Sequence, residues 1–133
     1  MLVPDASALI AALTVDTDYG ERVRSALVAG GQLHAPYVVD LEVLSGIRGL
    51  LAGGKLSSRR ADQARDDYWD LAITRHLHRA LAERVWELRP NLTVYDAAYV
   101  ALAELVGSAV LTLDDAMATA PGIDCVVELM PTD

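Results

Sequence analysis

Residues 93–114 read TVYDAAYVALAELVGSAVLTLD, and this stretch decides the fold class of the chain. Its first part, 93–106, spaces small apolar residues as a helix does, and Gly107-Ser108 ends that pattern. Residues 109–113 then form the clearest strand of the sequence, which runs straight into Asp114. A helix followed at once by a short apolar strand is typical of an α/β fold.

The same alternation extends along the chain and predicts a single α/β domain over residues 1–133. This length suits one hydrophobic core. Strands that alternate with helices favour a central parallel sheet with helices on both faces. The other predicted strands are 2–4, 32–35, 71–74 and 124–129, and the other predicted helices are about 8–13, 19–28, 36–51, 57–70 and 79–88.

The composition predicts a cytoplasmic globular protein. It is 53% hydrophobic without Phe, so the core is expected to be aliphatic. No apolar run approaches the roughly 20 residues that a membrane span needs. Residues 1–5 lack the basic start and apolar stretch of a signal peptide. The one cysteine, Cys125, cannot form an internal disulfide, which fits a reducing compartment.

The charge is unevenly distributed. A net charge of −8 argues at first against a nucleic-acid partner, because phosphate repels an acidic surface. Nine of the eleven Lys and Arg lie in residues 48–89 together with six acids, so this segment is +3 and the remainder −11. The segment is interpreted either as solvated surface or as a basic wall beside an acidic metal site, and composition leaves both open.

Four acidic residues stand at the ends of predicted elements. Asp5 and Asp114 follow strands directly, and parallel strands end at the same edge of a sheet. Two neighbouring carboxylates repel unless a cation lies between them, and Mg²⁺ or Mn²⁺ prefers such oxygen ligands. Asp96 lies in the first turn of its helix, and Glu42 lies in the first half of the helix predicted from Pro36.

Each of these acids also has a purely structural interpretation. Asp5 and Asp114 fit helix N-caps, Thr93 to Asp96 fits a capping box, and Glu42 fits a solvated helix face. Taken singly, the structural interpretation is favoured at each position. The repeated arrangement of an acid beside apolar residues at an element end favours a shared cation site.

Four segments together resemble the PIN-domain family, most closely the VapC-type toxins of toxin–antitoxin pairs. The resemblance covers nearly the whole chain in the family's order, and the part from Arg89 to Ala103 is the most specific. The four segments are Val3-Pro4-Asp5-Ala6-Ser7, the stretch from Pro36 through Glu42-Val43-Leu44, residues 92–103 and Leu111-Thr112-Leu113-Asp114.

The resemblance implies a three-layer α/β/α domain with a parallel sheet of about five strands. It implies an Mg²⁺- or Mn²⁺-dependent endoribonuclease that forms a homodimer, cuts structured RNA and is inhibited by a small cognate antitoxin. It assigns the catalytic acids to Asp5, Glu42, Asp96 and Asp114. Among these, Asp5, Asp96 and Asp114 are the expected direct metal ligands.

The resemblance also assigns supporting positions. Ser7 and Thr112 occupy the family's hydroxyl positions, where they would orient carboxylates or a metal-bound water. Apart from the resemblance, the basic segment predicts that Arg48 contacts RNA phosphate, while pairing of its arginines with nearby acids is the other interpretation. Two positions depart from the family's pattern: Pro4 removes a donor from a central strand, which predicts a bulge or irregular pairing, and Asp115 stands where the family often has a basic residue.

Other functions fit the sequence less well. Residues 49–56 nearly match a P-loop but follow a helix and end in Leu56 rather than Ser or Thr. His76 and His78 lack further ligands at zinc spacing. A phosphohydrolase of the haloacid dehalogenase kind needs a second Asp where Ser7 stands. A non-catalytic acidic binding module remains the alternative from another class.

Overall fold

The computed structural model describes residues 1–131, and its sheet has five parallel strands. The predicted parallel sheet of about five strands is therefore confirmed. The strands are β1 (Leu2–Pro4), β2 (Leu33–Pro36), β3 (Ile73–His76), β4 (Ala109–Thr112) and β5 (Val127–Leu129). They lie in the order β3-β2-β1-β4-β5, which puts β1 at the centre.

Seven α-helices cover the sheet within the described residues. They are α1 (Ala6–Thr14), α2 (Asp18–Ala29), α3 (Val39–Ala52), α4 (Ser58–Asp70), α5 (Ala82–Leu88), α6 (Val94–Val106) and α7 (Asp115–Thr119). A 3-10 turn at His78–Ala80 precedes α5. None of the helices in residues 1–131 has the length and apolar character needed to cross a bilayer.

The helices form the two outer layers of an α/β/α sandwich. On one side α1 packs against β1 and β4, and α2, α3 and α4 join it. On the other side α6 packs against β1, β2 and β4, and α5 packs against α6. Successive strand residues point to opposite faces, and Leu2 and Val3 are both buried. The central strand is therefore covered on both faces, as a parallel sheet requires.

Pro36 ends a strand instead of opening a helix, so the predicted helix start is wrong. Pro36 pairs with His76 of β3, and α3 begins three residues later at Val39. As the last residue of β2, Pro36 has no N–H to donate to the ladder. The following amide, that of Tyr37, continues the sheet by donating to the carbonyl of His76.

The observed bounds of two strands and one helix also differ from the predicted bounds. β3 begins at Ile73 rather than at 71, because the amide of Leu71 still bonds the carbonyl of Tyr68 and caps α4. β5 begins at Val127 rather than at 124, since the amide of Asp124 bonds a Glu104 side chain instead of a strand. The helix predicted from 79 is divided into the 3-10 turn and α5. The last two positions of the predicted domain, 132 and 133, lie outside the described residues.

Pro4 shortens the pairing of β1 with β2 but does not interrupt the pairing of β1 with β4. Against β4 the register is continuous through Pro4 and Leu111, so the predicted bulge is absent there. Against β2 the only pair in register is Leu2 with Leu33. The amide of Leu2 points toward β2 and the amide of Asp5 toward β4, so the donor that Pro4 lacks faces β2.

Candidate acidic active site

Asp5 lies at the point where β1 meets α1 and is 5% exposed. Its Oδ1 accepts hydrogen bonds from the Ser7 hydroxyl at 2.6 Å and from the Ala8 amide at 3.0 Å. Its Oδ2 accepts one from the Thr112 hydroxyl at 2.5 Å. Both carboxylate oxygens are therefore held in place, and the two predicted hydroxyl residues are among their partners.

The same hydroxyl groups connect Asp5 to the end of β4. Oγ of Ser7 accepts from the Leu113 amide at 3.1 Å, and Oγ1 of Thr112 accepts from the Asp114 amide at 3.0 Å. The Asp114 side chain in turn accepts from the Ala116 amide and caps α7. The carboxyl ends of the two neighbouring strands are thus joined by side-chain hydrogen bonds that orient both acids.

Asp96 and Glu42 approach from the two helix layers. Asp96 lies in the first turn of α6, where its amide donates to the hydroxyl of the N-cap residue Thr93 at 3.1 Å. Glu42 lies near the start of α3, and its Oε1 accepts from the Tyr99 hydroxyl at 2.5 Å. Asp5 and Asp114 are therefore N-caps as the structural interpretation predicts, whereas at the start of α6 the N-cap is Thr93.

The pKa values of Asp5, Glu42 and Asp96 are all raised, and the negative charge of another of the four acids contributes to each rise. Burial raises the pKa of Asp5, helped by the negative charge of Asp114, while bonds from Ser7 and Thr112 partly offset the rise. Burial also raises the pKa of Asp96, with Asp114 and then Asp5 as the charged neighbours. Burial is also the largest cause of the raised pKa of Glu42, and the negative charges of Asp96 and Asp5 raise it further.

The donor chemistry of the cluster fits a hard divalent cation. No Lys or Arg contributes to the pKa shifts of Asp5, Glu42 or Asp96, so protein cations do not offset their charge. Among residues 1–131, however, no three acidic, His or Cys side chains form a ready-made metal cage. Mg²⁺ is usually held by one or two carboxylates, with water and substrate oxygens completing its shell. The residues fit an ion bound in that way.

The choice between Asp114 and Asp115 follows from their environments. Asp114 is partly buried and acts on the pKa of both Asp5 and Asp96. Asp115 is exposed in the first turn of α7 and acts on neither. The structure therefore brings Asp114 to the acidic cluster and leaves its neighbour on the surface.

The basic segment is only partly available for an anionic ligand. Arg60 bonds the Asp16 side chain and the Leu13 carbonyl, and Arg65 bonds Asp66. Arg48 is exposed on α3, and its side chain makes no hydrogen bond or ion pair with another residue of the described part of the chain.

The two histidines considered for zinc have separate partners. His76 ends β3, and its Nε2 lies 2.9 Å from Nδ1 of His34. His78 begins the 3-10 turn, and its Nε2 accepts from the Val38 amide at 2.9 Å. The two side chains are not ligands of one site.

Tyr99 contacts the acidic cluster through Glu42, and the sequence pattern did not predict this contact. It lies three residues after Asp96 on an otherwise aliphatic helix face, and it is 1% exposed. A buried Tyr normally finds a hydrogen-bond partner for its hydroxyl. Its spacing from Asp96 is the signal that could have placed that hydroxyl near the acids.

Comparisons with known proteins agree with this geometry. Residues 2–123 match the PIN domain family. The chain is 38% identical to Ribonuclease VapC9 of Mycobacterium tuberculosis over 98% of this chain and 99% of that protein. It is 37% identical to Ribonuclease VapC1 of the same organism, over 90% and 94% of the two chains.

Solved structures share the fold at lower identity. A toxin–antitoxin complex from Klebsiella pneumoniae contains a chain with a TM-score of 0.68 and 21% identity, covering 100% of both chains. Mycobacterium tuberculosis VapC20, described as a sarcin-ricin loop cleaving toxin, has a TM-score of 0.68 and 14% identity over 92% of this chain and 96% of that one. The solved structures show the fold, and the family match with the sequence relatives shows that the chain belongs to the PIN-domain family, in its VapC branch.

Proposed function

We propose that this protein is an Mg²⁺- or Mn²⁺-dependent endoribonuclease that acts as the toxin of a toxin–antitoxin pair. The proposal is supported chiefly by Asp5 and Asp114, which follow the neighbouring parallel strands β1 and β4 and are linked through the hydroxyl groups of Ser7 and Thr112. In addition to burial, the negative charges of these acids raise the pKa of Asp96, and that of Asp5 raises the pKa of Glu42. The two relatives that are 37–38% identical both carry the name ribonuclease. An RNA substrate would place the protein's activity in the cytoplasm.

Within this proposal the site residues divide into three roles. Asp5, Asp96 and Asp114 supply the oxygens for the metal ion, and Glu42 completes the acidic site. Ser7 and Thr112 hold the carboxylate of Asp5 in one orientation through their hydroxyl groups. When bound, the ion supplies Lewis-acid chemistry, since it neutralises phosphate charge and lowers the pKa of water. Arg48 is proposed to contact RNA phosphate, because its side chain is exposed and unpaired among residues 1–131.

The proposed partners are a small antitoxin and a second copy of the same chain. The Klebsiella neighbour, which shares this fold, was solved as a toxin–antitoxin complex. A homodimer is supported by an apolar groove of about 370 Å³ between the start of α3, α5 and α6. Trp86, Val94 and Tyr95 line it and are 53–63% exposed, which is unusual for large apolar side chains unless a partner covers them.

The alternative from another class is a non-catalytic acidic binding module of the same fold. It would bind the same cation without cleaving RNA. The phosphohydrolase alternative is disfavoured by Ser7, which stands where a second Asp is needed and instead bonds Asp5.

The deciding experiment compares RNA cleavage by three variants, Asp5→Asn, Asp96→Asn and Asp115→Asn. A panel of structured RNAs is incubated with Mg²⁺ or Mn²⁺, and cleavage rates are measured. We expect the first two variants to lose at least about 100-fold in rate, because a metal contribution of several kcal/mol corresponds to that factor. Chelation of the metal should abolish cleavage by the wild type.

Asp115→Asn is the matched control, since it removes one negative charge outside the cluster and should keep the wild-type rate. Circular dichroism checks that each variant is folded. The proposal fails if metal-dependent cleavage persists at full rate in both cluster variants. Metal binding by the wild type without cleavage of any RNA would favour the binding module.

A further inference from the structure

The contact between Tyr99 and Glu42 joins the two helix layers at the acidic site. Tyr99 lies on α6, three residues beyond Asp96, and its side chain is 1% exposed. Its hydroxyl donates to Oε1 of Glu42 on α3 at 2.5 Å. The two residues are 57 positions apart in the chain, so this bond depends on the way α3 and α6 approach each other.

Tyr99 is the sole hydrogen-bond donor to the Glu42 carboxylate among residues 1–131. The carboxylate is partly buried and lies in the field of the negative charges of Asp96 and Asp5. Repulsion alone would drive a flexible Glu side chain away from such neighbours. The Tyr99 hydroxyl opposes that movement, and it occupies one of the two carboxylate oxygens.

We infer that Tyr99 is a positioning residue of the active site, which holds Glu42 through Oε1 and leaves Oε2 for the metal ion or its water shell. This inference rests on the proposed nuclease function. Tyr99 does not touch the ion or the substrate itself. It corresponds to the outer partners that orient the ligands of metal sites elsewhere and that matter nearly as much as the ligands do.

A second buried tyrosine, on α4, bonds an acid of the same helix α3 and therefore provides a matched comparison. Tyr68 is also fully buried, and its hydroxyl donates to Asp40 of α3 at 2.6 Å. Asp40 has a second partner, because Arg75 bonds both of its oxygens. Tyr68 therefore makes the same kind of bond to the same helix, but not to a residue of the acidic cluster.

The test compares Tyr99→Phe with Tyr68→Phe in Mn²⁺ titration calorimetry and in RNA cleavage at increasing Mg²⁺. Removal of an outer partner of a metal site typically lowers metal affinity or activity by about 10- to 100-fold. We expect a loss of that size for Tyr99→Phe, and wild-type values for Tyr68→Phe. Thermal unfolding is recorded for both, so that a loss of stability alone is recognised.

A double-mutant cycle shows whether Tyr99 acts through Glu42. If it does, Tyr99→Phe has no further effect in a Glu42→Gln background. The inference is overturned if Tyr99→Phe binds Mn²⁺ and cleaves RNA as the wild type does, or if Tyr68→Phe loses as much metal affinity and activity as Tyr99→Phe. It is also overturned if the fold-losses of Glu42→Gln and Tyr99→Phe multiply in the double variant. A wild-type protein that cleaves no RNA would instead contradict the proposed function, while the Mn²⁺ titration would still test the positioning role.

Discussion

Asp5 and Asp114 each cap a helix and present a carboxylate to the same site. Asp5 accepts the amide of Ala8 at the start of α1, and Asp114 accepts that of Ala116 at the start of α7. A cap fixes the orientation of its side chain, because the backbone amide lies in a rigid helix turn. The structural and functional interpretations of these residues are therefore not exclusive, and under the proposed function capping would orient the carboxylates toward the cation.

The burial of Asp96, together with the negative charge of Asp114, predicts an effect of Asp96→Asn on stability. The pKa of Asp96 is raised in the fold, first by burial and then by Asp114, so its ionised form destabilises the folded protein. Asp96 therefore keeps its proton to a higher pH in the folded than in the unfolded protein. Stability is lost as the pH rises from the unfolded pKa of Asp96 through its folded pKa. The full penalty is present once the pH exceeds the folded pKa, and metal-free Asp96→Asn should then unfold at a higher temperature than the wild type.

Scanning calorimetry checks this prediction. A gain of a few degrees is expected, since about 1 kcal/mol shifts Tm by roughly 4 °C in a domain of this size. The gain should vanish at a pH low enough to protonate Asp96 in both states. Mn²⁺ should raise the Tm of the wild type more than that of the variant, because it binds the folded state. An unchanged or lower Tm for the variant at a pH above the folded pKa would contradict the prediction.

At the scale of elements, glycine positions show where helices pack closely. Gly20 near the start of α2 is buried, and a Cβ built there would lie 1.8 Å from the carbonyl oxygen of Val15. Gly49 on α3 is exposed, and a Cβ there would meet nothing within 4 Å. The first glycine is required by a close backbone approach, and the second is not.

Substitution by alanine should therefore have opposite effects at the two positions. Gly20→Ala is expected to lower the free energy of unfolding by more than about 1 kcal/mol, because backbone must move to relieve the overlap. Gly49→Ala should raise it by about 0.5–1 kcal/mol, as alanine favours a helix interior over glycine. Urea unfolding measures both, and equal signs for the two changes would disprove the packing argument.

At the scale of the whole molecule, the apolar groove predicts the oligomeric state. Trp86 is 63% exposed at its rim, on the surface of α5. A stable dimer would cover this side chain, and a charge placed there would be buried without a partner, which is costly. We expect the wild type to have twice the 14.3 kDa mass of one chain, and Trp86→Glu to be monomeric.

Size-exclusion chromatography with light scattering measures the two masses. Val28→Glu serves as the control, because Val28 is 82% exposed on α2 and does not line this groove. It should keep the mass of the wild type. A monomeric wild-type protein, or a Trp86→Glu variant that remains dimeric, would show that the groove has another role.

The amino-acid pattern was sufficient to predict the fold class and to place the candidate acids along the chain. Hydrophobic periodicity identified the strands 2–4 and 109–113 to within a residue, and acids directly after parallel strands must reach the same edge. The bounds were wrong where a local signal was ambiguous, as at Pro36, which suits both a strand end and a helix start.

The tertiary structure decided which side chains meet. The bond of Tyr99 to Glu42 and the pairing of Arg60 with Asp16 join residues that lie far apart in the chain. Whether Asp114 or Asp115 reaches the acidic cluster depends on how the chain turns at the end of β4. Periodicity predicts which face of an element is buried, but not which neighbour covers it. That depends on the strand order and on how the helices cross, which are set by packing over the whole molecule.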